Sequence, residues 1–323
     1  MRGDLRKKRH SSRYRGWHAG HASGMMGVSA MAWEVAVGLD ALLLVVCGAL
    51  LHAVWNLSAK RAGGGVAFVW AFNFISVVVT APLAAWQWLA LPQALGGAAW
   101  LAIGVSAVVH IAYNLVLLQG YRLGEFSVVY PVARGSGPMF AVLGALLWFG
   151  EMPSALGWAG IVAVLAGLFL IGGVVRAVVA APGLLPGIRW GLLTGVCIAG
   201  YTLVDAWAVK ALAVPVVLYY CLGLAVRTVF LTPQVLAGRA ALRAEWQRNR
   251  THILSIGVLS PAAYLLVLTA MTLAPVSYVA PVREVSMLVG VVIGARVLRE
   301  AVSPSRLAGA ALMVLGVVLL GIA

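Results

Sequence analysis

Ten apolar runs, each close to twenty residues long, follow one another along this chain with mostly short polar gaps between them. They cover roughly residues 37–60, 66–90, 97–119, 126–149, 155–175, 189–210, 214–236, 252–273, 277–297 and 305–322. A run of about 20 residues is what an α-helix needs to cross the hydrocarbon core of a bilayer. Inside lipid the backbone has no water to bond, so such a run closes its hydrogen bonds on itself as a helix. The expected fold class is an all-α integral membrane protein with ten transmembrane helices. Composition agrees, since 63% of residues are hydrophobic and 10% are charged, against about 25% charged in a soluble domain.

A net charge of +14 invites a nucleic-acid reading, but its distribution excludes one. The basic residues crowd into a tail over residues 1–36, expected to be disordered, and into the gaps between runs, where membrane proteins keep them. The basic "RKKRH" before the first run also fits a secretory leader. That run, however, ends in Lys60-Arg61 without a clear cleavage site, so it reads as a span. Cys47, Cys197 and Cys221 all fall within apolar runs, with no CxxC or Cys/His metal spacing. They read as small packing residues.

An internal repeat divides the chain. "YPVARGSGPMFAVLGALLWFGEMPSALGWAGIVAVLAG" at 130–167 aligns with "APVREVSMLVGVVIGARVLREAVSPSRLAGAALMVLG" at 280–316. Pro131 pairs with Pro281. Then, at a constant offset of 149, Asn56 pairs with Asp205, Arg134 with Arg283, Glu151 with Glu300, Ser154 with Ser303, Gly160 with Gly309 and Gly167 with Gly316. The organisation expected is a first repeat at 37–175 (spans one to five), a linker at 176–188 and a second repeat at 189–322 (spans six to ten). The longer gap at 237–251, "AGRAALRAEWQRNRT", reads as a loop. Five spans per copy invert the second copy relative to the first. Inverted repeats with a site near the midplane are a signature of secondary transporters.

Polar residues inside spans must face a partner or a cavity. His52, Trp55 and Asn56 share one helical face at i, i+3, i+4, and His110, Tyr113 and Asn114 repeat the spacing in span three. Trp70 and Asn73 share a face in span two, Tyr130 and Arg134 in span four, Tyr201 and Asp205 in span six. Tyr264 lies in span eight, Arg227 in span seven, and Tyr278, Arg283 and Glu284 in span nine. Two readings stand side by side. These groups line a central substrate cavity, with Arg134 or Arg283 holding a carboxylate or phosphate, or they bond helix to helix. Asp205 and Glu284 are the acids in the interior of spans. Each is either a proton carrier or the fixed partner of an intramembrane arginine, as Arg134 would be for Glu284. Arg283 and Glu284 are neighbours about 100° apart on a helix and are not expected to pair with each other. Glu151 and Glu300, beside "EMPS" and "EAVSPS", read as caps where the next helix starts. Pro131 and Pro281 are expected to kink spans four and nine and to serve as hinges. No P-loop, HExxH, GxSxG or DDxxD motif is present.

The segments "LLHAVWNLSAKRAGG", "YPVARGSGPMFAVLGALLWFGEMPSALGWAGIVAVLAGLFLI" and "APVREVSMLVGVVIGARVLREAVSPSRLAGAALMVLGVVLL" resemble the drug/metabolite transporter superfamily, specifically its ten-span EamA-type members. The resemblance covers about residues 37–322. The second half departs from it with Arg299 where the first has Gly150. The resemblance implies a polytopic helical carrier in the inner (plasma) membrane, usually an exporter of small metabolites, often proton-coupled or facilitative. It implies no particular substrate, because the superfamily handles amino acids, nucleotide sugars, drugs and other solutes. The partners are then a small-molecule solute and the lipid bilayer, with no nucleic acid; no cofactor or metal is called for, and a monomer is compatible. An intramembrane enzyme acting on a lipid-linked substrate is the first rival, and two scattered acids argue against it. A non-transporting scaffold or receptor is the second.

Orientation cues disagree. The resemblance implies cytoplasmic termini, and seven Arg or Lys before residue 16 agree. With the termini inside, however, twelve Arg or Lys fall in or beside outside loops and only Lys210 inside. With cytoplasmic termini, a C-terminal green fluorescent protein fusion fluoresces and a C-terminal alkaline phosphatase fusion is inactive. The opposite pattern puts the termini outside.

Overall fold

The computed structural model describes residues 38–91, 94–173, 185–296 and 303–323. The basic tail, most of the 176–188 linker, Arg299 and Glu300 lie outside the described residues. The first half contributes α1 (Leu39–Ala62), α2 (Val66–Leu89), α3 (Gly97–Leu123), α4 (Phe126–Phe149) and α5 (Ala155–Gly172). The second contributes α6 (Leu185–Ala206), which continues as a π-helical turn over Trp207–Ala211, then α7 (Val216–Ala237) and α8 (Arg239–Leu273). Span nine comes as two short helices, α9 (Val276–Val282) and α10 (Ser286–Arg296), and α11 (Pro304–Ile322) closes the chain. The described residues contain no strand. Nine of their helices are long and apolar enough to cross a membrane. Span nine is broken by a 3-10 turn at Arg283–Val285.

Large apolar side chains cover the outside of the bundle. Leu147 is 87% exposed, and Phe230, Leu101 and Val162 are exposed as well. Such a surface fits lipid rather than water, where burial of apolar area is the main driving force. In lipid that force no longer holds helix to helix, so close backbone approach takes over. The pairing of α5 with α11 shows how. A Cβ on Gly309 would sit 2.7 Å from the Gly167 carbonyl oxygen, and one on Gly316 would sit 2.7 Å from the Gly160 carbonyl oxygen. Gly167 and Gly160 meet the same two partners in return. The contacts join 160 to 316 and 167 to 309, so the two helices run antiparallel. Exchanging equivalent residues of the two repeats turns each contact into the other, as a two-fold axis between inverted halves requires. The remaining packing follows the same axis: α2 lies on α7, α1 on α8 as α3 on α6, and α4 on α6 as α1 on the span-nine segments.

Two expectations change, and the two repeat-related prolines differ in their surroundings. Residues 239–250 are helical, as the start of α8, with a kink at Asn249 (φ −124°, ψ 17°). Their charges suggested a loop, but Ala, Leu, Arg, Glu and Gln are good helix formers, and Leu242 packs on the cluster of Ala62, Phe68 and Ile253. Helix α6 begins at Leu185, inside the segment expected to be linker. Pro131 does not interrupt its helix; α4 runs through it, with the proline ring packed against Gly172. The break falls beside Pro281 instead.

Gly309→Ala pushes a methyl group onto a backbone carbonyl that has little room to move. The expected cost is about 1–3 kcal/mol, read as a lowered thermal unfolding midpoint of the purified protein. Gly104→Ala meets nothing within 4 Å. It is expected to be neutral or to stabilise by up to about 1 kcal/mol.

Candidate functional site

Helix α6 carries Tyr201 and Asp205 one turn apart, both buried, with Asp205 only 1% exposed. Three hydroxyls from three other helices converge on the Asp205 carboxylate. Ser106 of α3 donates to Oδ1 at 2.5 Å. Tyr219 of α7 donates to the same oxygen at 2.6 Å. Tyr264 of α8 donates to Oδ2. Around this cage the aromatic rings close up. His110 stacks on Tyr201 with centroids 4.0 Å apart, and its edge meets Tyr264 at 6.2 Å. Tyr113 meets Tyr201 edge-on at 5.9 Å. The His110 Nδ1 lies 2.9 Å from the Ser106 carbonyl oxygen, which orients the ring.

The second cluster contains the two repeat-related arginines. Arg134 Nη2 of α4 lies 2.7 Å from Glu284 Oε2, close in distance but without hydrogen-bond alignment. Arg134 Nη2 also donates to Ser286 Oγ at 3.5 Å. Arg283 Nε lies 3.5 Å from Glu284 Oε1, so the sequence neighbours do pair. Both residues lie on the 3-10 turn, not on the regular α-helix assumed for that separation. Glu284 is 1% exposed and Arg283 5%. Arg134 Nε and Arg283 Nη2 are buried without a hydrogen-bond partner.

Glu151 is a cap, though not of the helix that follows it. Ser154 caps α5 by accepting from the Gly157 N–H at 3.0 Å. Gly150, at φ 64°, ends α4 in the left-handed region that suits glycine, and Glu151 then reaches across to the other half. Its Oε1 accepts from the Val276 N–H at 2.7 Å and its Oε2 from the Ser277 N–H at 2.8 Å. These are free donors in the first turn of α9. Lys210 Nζ lies 3.5 Å from Oε1 and donates to the Ala274 carbonyl at 3.1 Å. The Ser154 N–H donates to Tyr278 Oη at 3.3 Å.

The remaining candidates divide. His52 lies within electrostatic range of both Arg134 and Arg283 and meets Trp55 edge-on at 4.9 Å. Tyr130 is in range of Arg134, as is Tyr113. Asn56 and Asn114 sit at exposed positions, and each donates to the carbonyl four residues back, His52 and His110 respectively. Trp70 donates from Nε1 to Thr232 Oγ1 at 3.0 Å and stacks on Phe74, which makes it a tie between α2 and α7. Asn73 is half-buried on the same helix. Arg227 donates from Nε to the Gly223 carbonyl at 3.2 Å. Cys47 is exposed, Cys197 half-buried and Cys221 buried, all as free thiols. Among the described residues no group of three or more His, Cys, Asp or Glu is placed to hold a metal.

Sequence reasoning missed Ser106, Tyr219, Ser286 and Lys210. The first two carried a signal. Ser106, His110 and Asn114 lie at i, i+4, i+8 on one face, and the offset of 149 that joins Asn56 to Asp205 also joins Trp70 to Tyr219 and His52 to Tyr201.

Residues 39–173 and 185–322 each match the model of the EamA-like transporter family. No curated protein matches the chain. One solved crystal structure, described only as that of a protein, is similar with a TM-score of 0.65 at 18% identity, over 87% of this chain and 96% of its own. At that identity the likeness speaks for the fold alone.

Glu151→Ala leaves the Val276 and Ser277 N–H groups buried and unanswered. It is expected to lower stability by about 1–3 kcal/mol, seen as an earlier thermal unfolding of the protein in detergent. Glu151→Gln keeps one acceptor oxygen and is expected to lose less.

Proposed function

Because the chain belongs to the EamA-like transporter family, we propose that it is a secondary transporter, an exporter, that moves a small polar or amphipathic metabolite by alternating access between its two halves. The observation that carries the reading is the pair of buried polar clusters built from both repeats. Arg134, Tyr113, His110 and Ser106 come from the first half, and Arg283, Glu284, Tyr201, Asp205, Tyr219 and Tyr264 from the second. Polar groups at this depth are costly unless they serve a pathway or a partner. An alternating carrier keeps its site at the contact of inverted halves. In this reading His52, Trp55, Asn56, Asn114 and Tyr130 line the approach to the site. Trp70 holds α2 to α7.

Proton coupling, if the carrier uses it, is assigned to Asp205 rather than Glu284. The Asp205 partners are hydroxyls, which accept as well as donate, so their cage accommodates both the carboxylate and the acid. The Glu284 partners are guanidinium groups, which only donate, and this suits a fixed anion. The hinge is placed at Pro281, beside the broken turn, rather than at Pro131. The proposed location is the inner (plasma) membrane with both termini in the cytoplasm.

The test compares metabolites released by cells producing the wild type with those released by cells producing Arg134→Leu or Asn56→Leu at equal membrane abundance, by mass spectrometry of the medium. At least one metabolite is expected to accumulate with the wild type and to fall on the order of tenfold with Arg134→Leu, the size of one lost charge-assisted contact. In liposomes, Asp205→Asn is expected to keep exchange of that metabolite and to lose its response to an imposed pH gradient. Release unchanged for every metabolite by both leucine variants would favour the scaffold.

A further inference from the structure

Arg134 and Arg283 occupy equivalent positions of the two repeats. They meet at one carboxylate because the repeat is broken by a single residue. Glu284 follows Arg283, whereas Gly135 follows Arg134, and a Cβ at Gly135 would run into the Phe169 ring. Two guanidinium groups therefore share one acid. The other acid at this depth, Asp205, does not offset the surplus: three hydroxyls hold it, and Arg227 lies within its electrostatic range. His52, His110, Tyr113, Tyr121, Tyr130, Tyr201 and Tyr264 also lie within electrostatic range of the arginines, and none brings a carboxylate. One positive charge is left over in a low-dielectric interior, where an unmatched charge is expensive. The same two side chains hold the unanswered donors, Arg134 Nε and Arg283 Nη2.

Resting on the carrier reading above, we propose that Arg134 and Arg283 together bind a single oxyanion, a carboxylate or a phosphate, carried by the transported solute. Glu284 is the internal anion beside which it binds and with which it competes. Guanidinium forks match planar or tetrahedral oxyanions through paired N–H groups. The spare donors here come from one helix of each half, so a bound oxyanion ties the halves together at their common axis. The solute is then an anionic metabolite. Its neutral amide or ester relatives lack the group that the arginines hold.

The test is a binding measurement and needs no transport. The purified full-length chain in detergent is melted with matched probes: N-acetylleucine against its N-methylamide, and phenyl phosphate against phenol. A charged member is expected to raise the unfolding midpoint with dose, and its neutral partner to leave it unchanged, since a ligand of the folded state stabilises by mass action. Whether the carboxylate or the phosphate acts identifies the oxyanion. Glu284→Gln removes the competing anion and is expected to tighten binding of the charged probe on the order of tenfold. Arg283→Gln is expected to weaken it by a similar factor, and Arg134→Lys to retain part of it. A merely structural triad predicts the opposite sign for Glu284→Gln, with binding weakened or unchanged. That result overturns the proposal, as do equal shifts from charged and neutral members or no shift with any anion on wild type and Glu284→Gln alike. Release of a neutral metabolite by the wild type would then still stand for the carrier.

Discussion

A charge carried into hydrocarbon must be answered from within the protein, and in this bundle the answers come mainly from other helices. The Asp205 carboxylate on α6 is answered by α3, α7 and α8. Glu151, at the end of α4, is answered by α9 and by Lys210. Glu284 is answered by Arg134 across the bundle and by its own neighbour. Apolar contacts cannot fix these registers, because lipid is as apolar as the leucines it meets. The glycine contacts of α5 with α11 set how near the halves come. The buried charges set which residue meets which.

The two-fold relation between the halves is obeyed by packing and broken between spans four and nine. Spans four and nine are equivalent in sequence, yet α4 is one helix through Pro131, while span nine divides at Arg283–Val285. Equivalent sequences thus hold two conformations at once. An inverted-repeat carrier needs that difference, since exchanging the two conformations between the halves opens the opposite face. On the carrier reading, the step that moves solute is the passing of the break from one half to the other. Arg134 and Arg283 lie on the two elements that would trade.

Much of this was legible in the residues. Apart from the early start of α8, the ten runs of membrane length match helical segments to within a few residues, because length and apolarity are the whole requirement for crossing lipid. The repeat was legible because Arg, Glu and paired glycines recur at one offset. The faces of His110 with Tyr113 and of Tyr201 with Asp205 were legible from helical spacing. What they touch was not, since spacing says which residues share a side of one helix and nothing of the helix opposite. Ser106 is a small hydroxyl in an apolar run and looks like packing until a carboxylate is found beside it. The cap made by Glu151 was mistaken for a local one because capping rules are written along the chain, and the free N–H groups it serves lie 125 and 126 residues away. The start of α8 was hidden by its charges, which mark an interface helix as readily as a loop.

The Glu151 cap and the arginine cluster bear on the same short element. Glu151 grips the first turn of α9, and Arg283 and Glu284 follow its last residue. Residues 278–282 of the same helix separate the Glu151 contact from the Arg283–Glu284 pair. Charge-assisted hydrogen bonds contribute about 1.5–3 kcal/mol each, so two of them hold α9 by a few kcal/mol. Reversing a two-state equilibrium from 1:99 to 99:1 takes about 5.5 kcal/mol of differential binding. The two quantities are of one size. On the carrier reading, a solute that rearranges the pairing of Arg283 with Glu284 needs a differential affinity of that size to release the grip of Glu151. α9 is short, broken at one end and capped from the other half.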